Sequence, residues 1–143
     1  MILYLDTSAL IKLYLDEPDS ELAHQRIEQA SKAATSWLAY PESRSALARH
    51  LISHPDYSEI LRDFESDWNR YIRIEPTDSL LRRAGDIAEK HRLTGFDAVH
   101  LASALHLAEY ENVSVIFWAA DRKLASAARK EGLPDPSEEH LTK

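Results

Sequence analysis

Apolar residues along the chain fall into short unbroken runs that alternate with longer stretches of helical spacing. The run Ile2-Leu3-Tyr4-Leu5 has no polar interruption, as expected of a strand buried on both faces. Ser8 to Leu15 then reads as helical, and Pro18, Asp19 and Ser20 restart a helix toward Ala30. Ala33 to Trp37 is a second, weaker strand. Pro41 suits a first helical position and predicts a helix from Glu42 to Ser53, whose Ala46, Leu47 and Leu51 keep helical spacing. Pro55 starts another helix, with Ile60, Leu61, Phe64 and Trp68 on one face. Tyr71-Ile72-Arg73-Ile74 alternates as a strand, and Thr77 or Asp78 caps a helix from Leu80 to His91. A helix from Ala98 to Ala108 opened by Asp97, a strand from Val113 to Trp118 and a helix from Arg122 to Glu131 complete the series, with Gly132 just past its end. Strands alternating with helices predict an α/β fold whose parallel sheet is covered on both faces.

Composition narrows the class. A chain of 143 residues, 44% hydrophobic, predicts one domain over 1–143, and Pro134 to Glu139 read as the start of an extended or frayed tail over 134–143. The absence of Cys excludes disulfides, thiolate nucleophiles and zinc–thiolate sites. No apolar stretch has the length of a membrane span, and the N-terminus lacks the basic start and apolar run of a signal peptide, so a cytoplasmic protein with no membrane partner is expected. With only three Gly there is no G-x-G-x-x-G or Walker A loop, which excludes nucleotide binding by those routes. The formal net charge of −7 argues against nucleic-acid binding by phosphate neutralisation alone. An RNA ligand would need a local basic patch or a cation held by the protein's own carboxylates.

Four acids supply such carboxylates: Asp6, Glu42, Asp97 and Asp121. Singly, Asp6, Asp97 and Asp121 read as helix N-caps and Glu42 as a first-turn acid favoured by the helix dipole. Together they carry more. Asp6 and Asp121 close apolar runs at strand carboxyl ends, where an α/β sheet opens its ligand crevice. Asp97 and Glu42 would lean over that crevice from helices. Converging carboxylates repel unless a cation sits among them. Oxygen-only donors suit Mg²⁺ or Mn²⁺, and such a site supports metal-assisted attack of water on a phosphodiester.

The motifs also have a family flavour. Leu5-Asp6-Thr7-Ser8-Ala9-Leu10 resembles the opening of a PIN domain, as does Ser36 followed by Glu42. Asp97-Ala98-Val99-His100-Leu101-Ala102-Ser103-Ala104 is similar to the family's third acidic motif, and Ala120-Asp121-Arg122-Lys123-Leu124 to its fourth. The matches keep the family order across nearly the whole chain, and they resemble the toxin ribonucleases of the virulence-associated protein C (VapC) type. That resemblance implies a three-layer α/β/α sandwich with a short parallel sheet. It implies a Mg²⁺- or Mn²⁺-dependent endoribonuclease that hydrolyses RNA with a metal-activated water and is held in check by a cognate antitoxin. Asp6 and Asp97 would be direct or near-direct ligands, with Glu42 and Asp121 acting partly through water; a homodimer is left open. Two departures stand out. Ala119 occupies a position where the family often has a hydroxyl residue, so Asp121 is expected to be held by backbone and water. Gly132-Leu133 runs into Pro134 and Pro136, which argues against a final strand.

Other residues divide between site and scaffold. Thr7 and Ser8 either support Asp6 or a metal-bound water, or cap a helix. His100, one turn along from Asp97, reads as a packed or solvated histidine rather than a general base. Lys12, Arg44 and Arg49 would touch phosphate only if they faced the crevice. Trp37, Trp68 and Trp118 read as core or interface residues, not base-stacking platforms. Two rival functions remain at this stage: a catalytically inactive PIN-like binding or scaffold module, and a receiver-type phosphoacceptor. The second needs paired acids at the first strand end, where this chain has Asp6-Thr7-Ser8.

Overall fold

In the computed structural model, which describes residues 1–136, β1 (Ile2–Leu5) leads through α1 (Thr7–Leu10), a 3-10 turn (Ile11–Leu13) and α2 (Ser20–Gln29) to β2 (Lys32–Ser36). Next come α3 (Ala39–Leu51), α4 (Tyr57–Trp68) and β3 (Ile72–Ile74). α5 (Asp78–His91), α6 (Gly95–Glu111), β4 (Val115–Trp118) and α7 (Arg122–Lys130) follow. The strands form one parallel sheet in the order β3-β2-β1-β4.

Strand periodicity divides the core into two layers. Leu3 and Leu5, with Ile116 and Trp118 of β4, pack against α1 to α4. Tyr4 and Phe117 face the opposite way, onto α5, α6 and α7. Tyr4 and Phe117 are also register partners, with rings stacked at 5.4 Å. The result is the three-layer α/β/α sandwich. Leu3, Tyr4 and Leu5 are almost fully buried. At about 1.5–3 kcal/mol for each large apolar side chain, β1 anchors both layers at once. Helix α6 is buried along Ala98–Leu105, and a helix apolar on all sides belongs in the interior.

The chain winds outward from β1 to β3, then returns through α5 and α6 to set β4 on the other side of β1. The order therefore reverses beside β1, and the crevice lies at the carboxyl ends of β1 and β4.

Several helix boundaries differ from the sequence reading, each for a local reason. α1 is a single turn that tightens into the 3-10 segment, not a helix through Leu15. α3 starts at Ala39, ahead of Pro41, which is tolerated because first-turn N–H groups have no intrahelical acceptor. α6 starts at Gly95, and its N-cap is Thr94, not Asp97. Gly132 takes the left-handed φ of 97° just past α7, as the sequence predicts. Pro134 adds no strand, but its carbonyl accepts from the Phe117 N–H at 3.0 Å, and 134–136 are half-buried. The remainder of the expected tail lies outside the described residues.

Candidate metal centre

Asp6 follows β1 directly and caps α1. Its Oδ1 accepts from the Ala9 N–H at 2.9 Å, and the Ser8 hydroxyl lies 2.9 Å from both carboxylate oxygens. Ser8 thus supports Asp6. The carboxyl is only 4% exposed. Burial pushes its pKa up; His100, the Ala9 N–H and Ser8 pull it down, Asp97 adds to the rise, and the net shift is upward.

Asp97 stands in the first turn of α6 with its backbone N–H on Thr94 Oγ1 at 3.4 Å, so its carboxylate is not spent on capping. Burial again raises its pKa first, and Asp121 and then Glu42 add repulsion against the help of Thr94 and His100. The acids named in these shifts are the ones the sequence picked out. Asp121 caps α7 through Oδ1, which accepts from the Lys123 N–H at 2.8 Å. That backbone contact supplies the support a hydroxyl at position 119 would give.

Glu42 is held differently. Thr7 Oγ1 donates to Glu42 Oε1 at 2.5 Å, and His100 Nε2 lies 3.4 Å from the same oxygen and 3.2 Å from Thr7 Oγ1. Burial pushes Glu42 up, but the hydrogen bonds from His100 and Thr7 outweigh it and leave the carboxyl below its ordinary range. On its other side, His100 Nδ1 meets the Tyr4 hydroxyl at 2.8 Å. Burial keeps the Tyr4 phenol protonated, well above its usual pKa. With Tyr4 donating to Nδ1, the Nε2–H of His100 points at Thr7 and Glu42, and each proton in the chain is used once. His100, 3% exposed, therefore joins core to site.

The sequence did not single out Tyr4. Its signal was the period of two, which puts Tyr4 on the same side of β1 as Asp6. His100 is one helical turn from Asp97. The basic candidates go elsewhere: Lys12 pairs with Asp19, Arg44 with Glu65 and Tyr40, and Arg49 with Ser45. Trp68 and Trp118 are buried as expected, but Trp37 is 46% exposed.

Among the described residues no three His, Asp or Glu side chains form a ready-made cage. An ion here would take one or two carboxylates and complete its shell with water, a mode Mg²⁺ adopts. Asp6 and Asp97, both raised in pKa and both repelled by neighbouring acids, are the carboxylates whose charge a cation would most relieve.

A model of the PIN domain matches residues 3–130 of the chain. The protein named Ribonuclease VapC45 from Mycobacterium tuberculosis is 37% identical over 135 residues, covering 92% of each chain. Among solved structures, VapC20 of Mycobacterium tuberculosis, described as a Sarcin-Ricin loop cleaving toxin, superposes with a TM-score of 0.66 at 17% identity, covering 87% of this chain and 94% of that one. VapBC-1 from nontypeable Haemophilus influenzae gives 0.61 at 19% identity, covering 94% and 96%.

Proposed function

This chain belongs to the PIN-domain family, grouping there with the VapC ribonucleases, and from that premise we propose that it is an endoribonuclease that depends on Mg²⁺ or Mn²⁺ and serves as the toxin of a toxin–antitoxin pair. The observation that carries the site is Asp97: half-buried, unused as a cap, and set against Asp121 and Glu42 at the switch point of the sheet. Asp6 and Asp97 would hold the ion, with Glu42 and Asp121 reaching it through water. A divalent ion so held supplies charge for the phosphate oxygens and a lower pKa for the attacking water.

The chain's own residues set the stage for that chemistry. Ser8 and the Ala9 N–H fix the Asp6 carboxylate, and Thr7 and His100 fix Glu42. Glu42, kept ionised, offers an acceptor for a proton of a nearby water. The RNA 2′-OH need not take part. A cognate antitoxin is the partner this role requires, and a second copy of the chain would make a homodimer. No described helix is long and apolar enough to cross a membrane.

The test is RNA cleavage by purified, antitoxin-free protein in Mn²⁺ and in EDTA. Cleavage in Mn²⁺ that EDTA abolishes and Asp97→Asn lacks supports the enzyme. A folded protein that binds RNA or antitoxin but never cleaves would make it a scaffold module instead.

A further inference from the structure

The carboxyl edge of the sheet carries an aromatic surface that none of the roles above uses. Trp37 follows β2, and its N–H donates to Ile74 O at 3.1 Å, which fixes its backbone where β2 and β3 end. Arg73 of β3 lays its guanidinium 4.9 Å from the centre of the Trp37 ring and 5.8 Å from that of Trp68. Buried Trp68 stands edge-on to Trp37 at 6.4 Å and packs Tyr40 at 5.3 Å. Trp37, Tyr40, Glu65, Trp68, Asn69 and Arg73 line a cleft of about 420 Å³, with the Glu65 carboxylate already taken up by Arg44 and the Tyr40 hydroxyl.

Two properties of this cleft point to a ligand. Trp37 keeps nearly half its surface exposed although Trp68 and Arg73 hold it in place. The Arg73 side chain has neither a hydrogen bond nor an ion pair among the described residues; the same holds for Arg62, Arg92 and Arg122, but of these only Arg73 lies against tryptophan rings. Its donors are therefore unspent, in a chain of net charge −7 where acids to satisfy them abound. A ring face beside an unpaired guanidinium matches a nucleotide, with a flat base and an anionic phosphate.

Position decides which nucleotide. β2 is hydrogen-bonded to β1, and neighbouring strands lie about 4.8 Å apart. Trp37 thus stands one strand from Asp6 on the same edge, while Tyr40 and Glu42, two positions apart on α3, face the cleft and the metal centre on opposite sides of that helix. A phosphodiester over Asp6 and Asp97 puts a flanking residue over β2.

We propose that the Trp37–Arg73 cleft is a base-binding subsite that takes one unpaired RNA base flanking the scissile bond, stacked on Trp37, with Arg73 donating to its phosphate. The proposal rests on the ribonuclease reading. It gives Trp37 the base-stacking role that the sequence reading set aside.

The test uses single-stranded RNA oligonucleotides and their duplexes, bound in Mg²⁺ to protein carrying Asp97→Asn, together with KM and kcat for the otherwise wild-type protein. Single strands should quench tryptophan fluorescence and duplexes should not. Trp37→Phe should keep the affinity but lose the quench, because it retains a ring face. Trp37→Ala should weaken binding by about 5- to 150-fold, the worth of one stacked base, and raise KM more than it lowers kcat. Arg73→Gln, which leaves Trp37 in place, should weaken binding and reduce the salt slope by about 1. Wild-type affinity and KM in both Trp37→Ala and Arg73→Gln overturn the subsite. So does Trp37→Ala that binds RNA normally but loses a co-expressed antitoxin, since the cleft then serves a protein. A wild-type protein that binds single-stranded RNA through Trp37 without cleaving it would overturn the ribonuclease reading and leave the subsite standing.

Discussion

Thr94 accepts the Asp97 N–H at 3.4 Å and so caps α6 in place of Asp97. The division of labour leaves Asp97 without the backbone N–H partner that Asp6 and Asp121 each have as caps. Asp97→Asn keeps the side-chain shape and removes one charge from a crowded place. RNA cleavage should be lost, while the melting temperature in EDTA at neutral pH stays the same or rises. A marked fall in that temperature would show that the Asp97 carboxylate stabilises the fold.

The acids should also show themselves in the pH dependence of metal-free stability. Asp6 and Asp97 have folded-state pKa values above their ordinary range, so each ionises at a cost in the native state. Their favourable contribution is complete below the ordinary Asp value of about 3.9 and is lost as pH rises through the raised values. Glu42, lowered, behaves oppositely: its contribution is present above the ordinary Glu value and is lost as pH falls through the lowered one. Denaturant titrations in EDTA should therefore show Asp97→Asn losing less stability than wild type as pH rises above the ordinary Asp value of about 3.9. Parallel curves for the two proteins would contradict this.

Thr7 offers a cleaner probe of the Glu42 support than His100, whose loss would also open the core. Thr7→Val keeps the volume and removes the hydroxyl that holds Glu42 at 2.5 Å. Contacts that orient a ligating carboxylate typically control affinity by about 10- to 100-fold, so Mn²⁺ affinity measured by calorimetry should fall toward that range. Thr7→Ser should restore most of it. Unchanged Mn²⁺ affinity in Thr7→Val would remove Glu42 from the metal centre.

His100→Ala should cost more. It removes the buried Tyr4 hydroxyl's partner at 2.8 Å and leaves it Ser103 and Thr35, and losing one such hydrogen bond costs about 0.5–1.5 kcal/mol before any cavity term. His100→Gln can still reach from α6 toward Thr7 and should recover part of the Mn²⁺ affinity. Equal losses for Ala and Gln in stability and in metal binding would make His100 a packing residue only.

Much of this was legible in the chain. The unbroken run at Ile2–Leu5 and the one ending in Trp118 marked the strands that flank the switch point, because strands buried on both faces tolerate no polar residue. Asp6 and Asp121 follow those runs closely enough to be placed from sequence. The role of Ser8 was legible as one of two local options. What escaped depends on long-range geometry. Tyr4 meets His100 across 96 positions, and nothing local to either residue announces the contact. The start of α6 was placed at Asp97 instead of Gly95 because Asp and Thr are both good caps, and only the backbone shows which of them serves. Of the two options for Trp37, core or interface, its exposure past the last residue of β2 removes the core one.

Thermal melts of the wild-type protein in EDTA and in Mn²⁺ or Mg²⁺, run beside Asp6→Ala and Asp97→Asn, test the metal centre most directly. A ligand at a hundred times its Kd adds about 2.7 kcal/mol to native stability. Wild type should therefore melt several degrees higher with either ion, and the two variants should lose most of that rise. Identical wild-type melts in EDTA, Mg²⁺ and Mn²⁺ would contradict a cation bound among Asp6, Glu42, Asp97 and Asp121.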